Sequence, residues 1–310
     1  MNLTCRQSVL AGRAESSSQL HRVLRSPLHF RFSAKVQTVS RSSRLGYKKH
    51  HLDSRIKSSE EKESAVSIEE DFSALSDEVE KLAANCLPKL DGVSIFLVGM
   101  MGSGKSTVGK LLAKTLDYCF FDTDDLIEQL TQKDIPSIFA EDGESSFREI
   151  ETQVLSELGA YKTCVVATGG GAVVEQKNWA YLQNGVVIYL QGATDLLARR
   201  VHSDGTEGRP LLNGTDAEVS ATMDRINSIL EARASKYAQS DITVPLEGTG
   251  QDSETGAPPA VVVHRILTEL LIKLDEKIAI DDQAARKEFE IQDNGPKPLY
   301  GPPLNQDKQD

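Results

Sequence analysis

An α/β fold, with a central parallel sheet covered by helices on both faces, is predicted by three features of this 310-residue chain. The first is the run Val93 to Thr107, VSIFLVGMMGSGKST, in which a buried-strand pattern passes through glycines directly into a helical one. The second is the alternation that follows: short β-branched runs are separated by segments whose apolar residues recur at helical spacing. The third is the position of the polar clusters. Each candidate site follows a predicted strand or sits on an adjoining helix, as expected when ligands bind at the C-terminal edge of a parallel sheet.

The elements follow in order. Val93 to Val98 is the first strand, and Lys105 to Leu116 is a helix with Val108, Leu111, Leu112 and Leu116 on one side. Tyr118 to Phe121 is a short aromatic strand ending in Asp122-Thr123-Asp124. Helices are expected over about Asp125 to Leu130 and Ile135 to Ala140. Gly143 interrupts the pattern before a third, Ser145 to Leu158. Thr163 to Ala167 is a β-branched strand running into Gly169-Gly170-Gly171, and Val186 to Leu190 is another. Thr194 is a candidate N-cap for a helix reaching His202. A long helix from Ala217 to Ala238, a strand Ile242 to Val244 and a helix Ala260 to Leu274 complete the set.

The ends of the chain differ from this body. Residues 1–58 hold 12 Lys or Arg and only two acidic residues, Glu15 and Asp53, in a Ser-rich background. That composition reads as an organelle transit peptide, the other reading being a basic arm for nucleic acid. The whole chain carries −11, so the part after residue 58 carries −21 and should repel nucleic acid and anionic membrane surfaces. No run approaches the roughly 18 apolar residues of a bilayer span. Residues 59–92 read as a linker with a short docking helix, Phe72 to Leu87, ended by Pro88. The stretch 279–310 is polar and ends Pro-rich, so a disordered tail is expected. One folded domain, 93–278, remains. The four cysteines show no CxxC pairing or metal spacing, and His202 and His264 read as surface or helix residues.

Gly99-x-x-x-x-Gly104-Lys105-Ser106 between strand and helix is a phosphate-binding P-loop. Gly99 and Gly104 let the backbone turn inward, so that consecutive N–H groups point at phosphate oxygens near a helix N-terminus. Lys105 would lie between the β- and γ-phosphates, and the Ser106 hydroxyl would bind Mg²⁺. The loop implies a nucleoside triphosphate but leaves the fate of its phosphate open. Asp122 and Asp124, two apart on an extended strand end, share a face. One could hold Mg²⁺ through water while the other orients an attacking hydroxyl; an Asp helix cap is the plainer reading. Arg148 and Glu151, three apart on a helix, are either a surface ion pair or an Arg that grips a carboxylate with Glu151 holding it. Gly169 to Gly171 destabilise a loop unless backbone must approach a ligand closely. Arg209, in the polar stretch Ser203 to Gly214, is placed to close over a phosphoryl group from a mobile lid. Arg233, near the end of its helix, could serve only the helix dipole.

Together GMMGSGKSTVGK, FFDTDDLIE, IFAEDGESSFREIE, ATGGGAVV, RRVHSDGTEGRPLL and LEARASKY resemble the shikimate kinase family over about residues 93–244. The resemblance implies a P-loop kinase fold with a mobile lid, transferring the ATP γ-phosphoryl group to the shikimate 3-hydroxyl with Mg²⁺. It implies that Gly102, Ser103, Gly104, Lys105, Ser106 and Thr107 hold the phosphates, that Ser106 and Asp122 serve the metal, and that Asp124 is the base candidate on the shikimate hydroxyls. Arg148 and Arg233 would clamp the shikimate carboxylate beside Gly169, Gly170 and Gly171. Arg209 would be the lid arginine, and Arg200 would lie along the adenine. With this resemblance the basic presequence implies a plastid form, acting in the stroma on small molecules rather than on nucleic acid or membrane. The segment between Arg200 and Arg209 and the stretch Glu247 to Pro259 are longer than in the compact bacterial pattern. The alternatives are a non-catalytic plastid relative and another small-molecule kinase, of the gluconate or nucleoside monophosphate type.

Overall fold

The computed structural model describes residues 59–204, 210–212, 219–249, 252 and 254–293. The helices and strands, in chain order, are α1 (Ser59–Leu90), β1 (Ile95–Gly99), α2 (Lys105–Leu116), β2 (Cys119–Asp122), α3 (Thr123–Thr131), α4 (Ile135–Glu141), α5 (Gly143–Leu158), β3 (Cys164–Ala167), α6 (Gln176–Leu182), β4 (Val186–Gln191), α7 (Thr194–Asp204), α8 (Val219–Tyr237), β5 (Ile242–Pro245) and α9 (Pro259–Asp293). A single 3-10 turn, Pro210–Leu212, lies between α7 and α8 among the described residues.

All strand pairings are parallel, in the order β2-β3-β1-β4-β5. The strand that feeds the phosphate loop is therefore central, with Leu97 in register with Ala167 on one side and Ile188 on the other. Period-two alternation divides the core between the two faces. Ile95 and Leu97 join the apolar cluster of α1, α2, α7 and α9, whereas Phe96 and Val98 join that of α3 to α6. Both faces are covered, which is why the strands read as near-continuous apolar runs.

Local chemistry sets the element ends. Asp91 and Gly92 take positive φ (46° and 76°) and Val93 N–H donates to Leu90 O, so β1 begins at Ile95, two residues later than the apolar run. Gly104 (φ 78°) precedes α2, and Asp117 closes it in the left-handed region. Asp134 caps α4 by accepting from Ser137 N–H, with Pro136 in the first turn. Thr194 is not a cap: it is the first residue of α7, Leu197 N–H reaches Ala193 O, and the Thr194 hydroxyl points to Asn227.

Three larger expectations needed correction. The short helix in 59–92 is the 32-residue α1, which carries Pro88 inside its last turn, where its missing N–H leaves a single carbonyl, that of Ala84, without a helical donor. It docks on the body, as expected, but over a longer span: Val79, Ala83, Cys86 and Leu90 are buried against α2 and α9. Lys89 pairs with Asp275, and Glu78 lies 3.3 Å from His264, so α1 and α9 run parallel. At the other end, α9 continues past Leu274 through the expected start of the disordered tail to Asp293, because the Ala-, Glu- and Lys-rich stretch before it contains no Pro or Gly. Finally, α6 was not anticipated. It is short, and its inward face mixes Trp179 and Leu182 with a buried Asn178. The basic segment 1–58, the Pro-rich stretch 294–310 and Arg209 lie outside the described residues. No described helix is long and apolar enough to cross a membrane.

Candidate active site

Every candidate site residue except Arg209 lines one cleft of about 550 Å³ at the C-terminal edge of the sheet. The loop from Gly99 to Gly104 forms its floor. Gly102 and Gly104 both sit at positive φ (77° and 78°), which turns successive N–H groups inward at the start of α2. Lys105 Nζ donates to Gly99 O and Met100 O, each at 3.0 Å, so its ammonium lies folded across the loop that it would share with a polyphosphate.

The carboxylate pair is built differently from two neighbours on an extended strand. Asp122 ends β2 and caps α3: its Oδ1 accepts from Asp124 N–H at 3.1 Å, and its Oδ2 accepts from Ser106 Oγ at 2.6 Å. The plain cap and the functional reading are thus the same residue. The bond joins two oxygen ligands of the kind Mg²⁺ prefers, beside the phosphate loop. Asp124 stands in the first turn of α3 with Oδ1 buried and without a hydrogen-bond partner. Burial first, and then the charges of Asp122 and Glu151, push its carboxyl up to about 7, against the attraction of Lys105.

Arg148 and Glu151 are not a surface pair. Arg148 is 8% exposed and Glu151 fully buried, with Nη1 to Oε2 at 2.8 Å; Glu144 accepts from Nη2 at 3.1 Å. Burial opposes the Arg148 charge, but these two carboxylates outweigh it and hold the guanidinium above its ordinary range. Glu151 is pushed up by burial despite Arg148. Its second oxygen, Oε1, is unpartnered.

The triple glycine is the hub of these groups. Gly169 N–H donates to the buried Thr123 hydroxyl at 2.8 Å. A Cβ at Gly169 would stand 2.7 Å from Glu151 Oε1 and 2.8 Å from Asp124 Oδ1, and one at Gly171 would collide with the Arg148 guanidinium. Gly170 O accepts from Arg233 Nη1 at 2.7 Å. Arg233 is therefore held in the cleft wall, 9% exposed, rather than serving only the end of α8. Beyond the loop, Asn178 Nδ2 donates to Ala172 O and Trp179 Nε1 to Val173 O, so α6 pins the backbone leaving the site.

Two apolar walls complete the cleft. Ile135, Phe139 and Phe147 flank the arginine end, with the Phe139 and Phe147 rings 4.8 Å apart. Leu246, Ala257 and Val262 flank the other end, beside Arg200, whose guanidinium donates to Thr255 O at 2.7 and 3.0 Å. Little in the sequence marks these walls. Their only signal was apolar residues next to polar motifs, which a core accounts for equally well.

A nucleotide-type loop beside a raised aspartate and two fixed arginines, on this sheet order, defines a P-loop kinase acting on a small anionic acceptor. The family described as shikimate kinase matches residues 101–270. A shikimate kinase of Synechococcus elongatus is 46% identical over 178 residues, spanning 57% of this chain and 86% of that protein. One of Gloeobacter violaceus is 49% identical over 173 residues, spanning 56% and 89%. Among solved structures, a shikimate kinase of Acinetobacter baumannii in complex with shikimate is 36% identical, with a TM-score of 0.51 over 58% of this chain and 93% of that one. A shikimate kinase of Bacteroides thetaiotaomicron has the same TM-score at 34% identity, over 57% and 98%. The chain belongs to the shikimate kinase family.

Proposed function

We propose that the cleft holds ATP and shikimate end to end, with the P-loop side of the sheet edge for the donor and the Arg148–Arg233 side for the acceptor. The chain is an ATP-dependent kinase that phosphorylates the 3-hydroxyl of shikimate, releasing ADP. The observation that carries the residue assignment is the geometry around Gly169: two buried carboxylate oxygens, Asp124 Oδ1 and Glu151 Oε1, unpartnered and facing the same point of the loop. Buried acceptors without donors call for hydrogen-bond donors from a ligand, and a polyhydroxylated ring supplies them.

In this reading Asp124 accepts the hydroxyl proton as the oxygen attacks the γ-phosphorus, a task suited to a carboxyl near 7. Arg148 and Arg233 clamp the ring carboxylate, and their fixed partners keep the hydroxyl in line. Lys105 and the N–H groups of Gly102 to Thr107 hold the phosphates. Arg200 packs along the adenine between Leu246 and Val262. Arg209 is proposed to reach the transferring group from the segment before Pro210. Ser106 and Asp122 would hold Mg²⁺, which when bound neutralises phosphate charge. A carboxylated acceptor is favoured over nucleotide acceptors by the arginine pair with Asp124, shikimate over gluconate by the family match, and a non-catalytic role by nothing in the site. We further propose that 1–58 directs the chain to the plastid stroma, that 59–92 and 93–278 form one folded unit, and that 294–310 is a tail.

The test is ADP release by the full chain with shikimate, quinate, gluconate and nucleoside monophosphates offered in turn. Shikimate-dependent turnover that vanishes with EDTA is expected. Turnover on any of the others in preference to shikimate would overturn the acceptor assignment. A fluorescent fusion of residues 1–60 should enter plastids; signal left in the cytosol would refute the targeting role.

A further inference from the structure

Two side chains of α8 converge on one backbone carbonyl in the acceptor site. Arg233 and Tyr237 are one turn apart and so share a helix face. Arg233 Nη1 donates to Gly170 O at 2.7 Å, and the Tyr237 hydroxyl donates to the same oxygen at 3.2 Å. Hydroxyl and guanidinium thus meet on one shared carbonyl oxygen. The tyrosine is 1% exposed, and its ring stacks on Tyr189 of β4 with centroids 4.5 Å apart and planes 6° from parallel. Arg233 lines the cleft, whereas Tyr237 stands behind it.

We infer that Tyr237 is a positioning residue for acceptor recognition: its hydroxyl locks the Arg233 guanidinium and the Gly170 carbonyl in one mutual geometry, and it acts through Arg233. The inference rests on the proposed reading of Arg233 as a clamp on the acceptor carboxylate. An arginine carries several N–H donors. One is committed to Gly170 O, and the rest face the cleft only while the guanidinium plane is held. Stacked on a strand residue, Tyr237 supplies a rigid reference that a flexible side chain could not. Without its hydroxyl, the guanidinium gains rotamers that the acceptor must remove on binding. The penalty falls on binding in ground and transition states alike, so it appears in KM rather than kcat.

The experiment is steady-state kinetics on the full chain carrying Tyr237→Phe, Arg233→Ala, both together, and Tyr189→Phe. Tyr237→Phe keeps the ring stack and should melt within a few degrees of the parent. Its KM for the acceptor is expected to rise about threefold to tenfold, the effect of losing one buried hydrogen bond, with kcat and the ATP KM within twofold. In the Arg233→Ala background the same change should shift KM by less than twofold, because its target is gone. Tyr189→Phe, which removes a hydroxyl but not the stack, should leave KM unchanged. If Arg233→Ala raises KM and Tyr237→Phe does not, the role of Tyr237 is refuted while the clamp stands. If the Tyr237→Phe effect persists undiminished in the Arg233→Ala background, the tyrosine is only a packing residue and the inference is overturned. If Arg233→Ala itself leaves the acceptor KM unchanged, the clamp reading falls and takes this inference with it.

Discussion

Replacing Gly171 with alanine tests the acceptor site with the least disturbance to the rest of the fold. A Cβ at this position would lie 2.5 Å from Cζ of Arg148 and closer still to Nη1 and Nη2. Non-bonded carbon atoms rest at about 3.5–4.0 Å, so the guanidinium must retreat by about 1 Å. It cannot do so and keep both Glu151 at 2.8 Å and Glu144 at 3.1 Å. Gly171 has no positive φ, so alanine strains no backbone, and the collision is with the end of a flexible side chain. The collision is therefore relieved by displacing Arg148 from its carboxylates, and a lowered melt is expected beside the change in binding. A hydrogen bond to a charged group contributes about 1.5–3 kcal/mol. At about 1.4 kcal/mol per factor of ten, losing one such bond to the acceptor carboxylate raises KM for shikimate about ten- to hundredfold. Initial rates of ADP formation against shikimate at saturating ATP measure this, beside a thermal melt. A KM within twofold of the parent, with the melt unchanged, would refute the claim that Arg148 grips the acceptor.

Other substitutions probe the remaining parts. Asp124→Asn should abolish turnover. Because the folded-state carboxyl is raised from 3.8 to about 7, Asp124's contribution to stability is lost as pH rises through that window. The Asn variant should therefore melt above the parent at pH 8, and a lower melt would contradict the raised carboxyl. For the parent, kcat/KM should fall on the acid side with an apparent pKa near 7, and a flat profile from pH 5 to 8 would remove Asp124 as base. Arg148→Lys turns a forked grip into a point charge and should raise the shikimate KM with a smaller change in kcat; an unchanged KM would count against the clamp. Deleting residues up to Gly92 strips Val79, Ala83, Cys86 and Leu90 from the core. At about 1–3 kcal/mol for each large apolar side chain, several kcal/mol out of a typical 5–15 are lost. That chain should melt at least about 10 °C lower or fail to fold, and an unchanged melt would mean α1 is only an appendage.

Much of this protein is written in contiguous residues. The strand, glycine loop and helix of Ile95 to Leu116 need only their own neighbours: apolar alternation, three glycines with positive φ, and a helical stripe. For that reason the phosphate loop and the α/β alternation were legible before any coordinates. The glycines at 169–171 were legible as a loop under close approach, but not what approaches it. Three separate segments answer that: Asp124 from α3, Arg148 and Glu151 from α5, and Arg233 from α8.

Sequence by itself determined the donor loop, the α/β alternation and the types of side chain available for an acceptor. Tertiary structure alone decided which of them meet. It turned a plausible surface pair into the buried Arg148–Glu151 pair and made Asp122 at once a helix cap and the partner of Ser106. It also drew α1 into the core and set Tyr237 behind Arg233. Periodicity records which face of an element is apolar, whereas burial, and with it the raised carboxyl of Asp124, depends on what the other elements bring to that face.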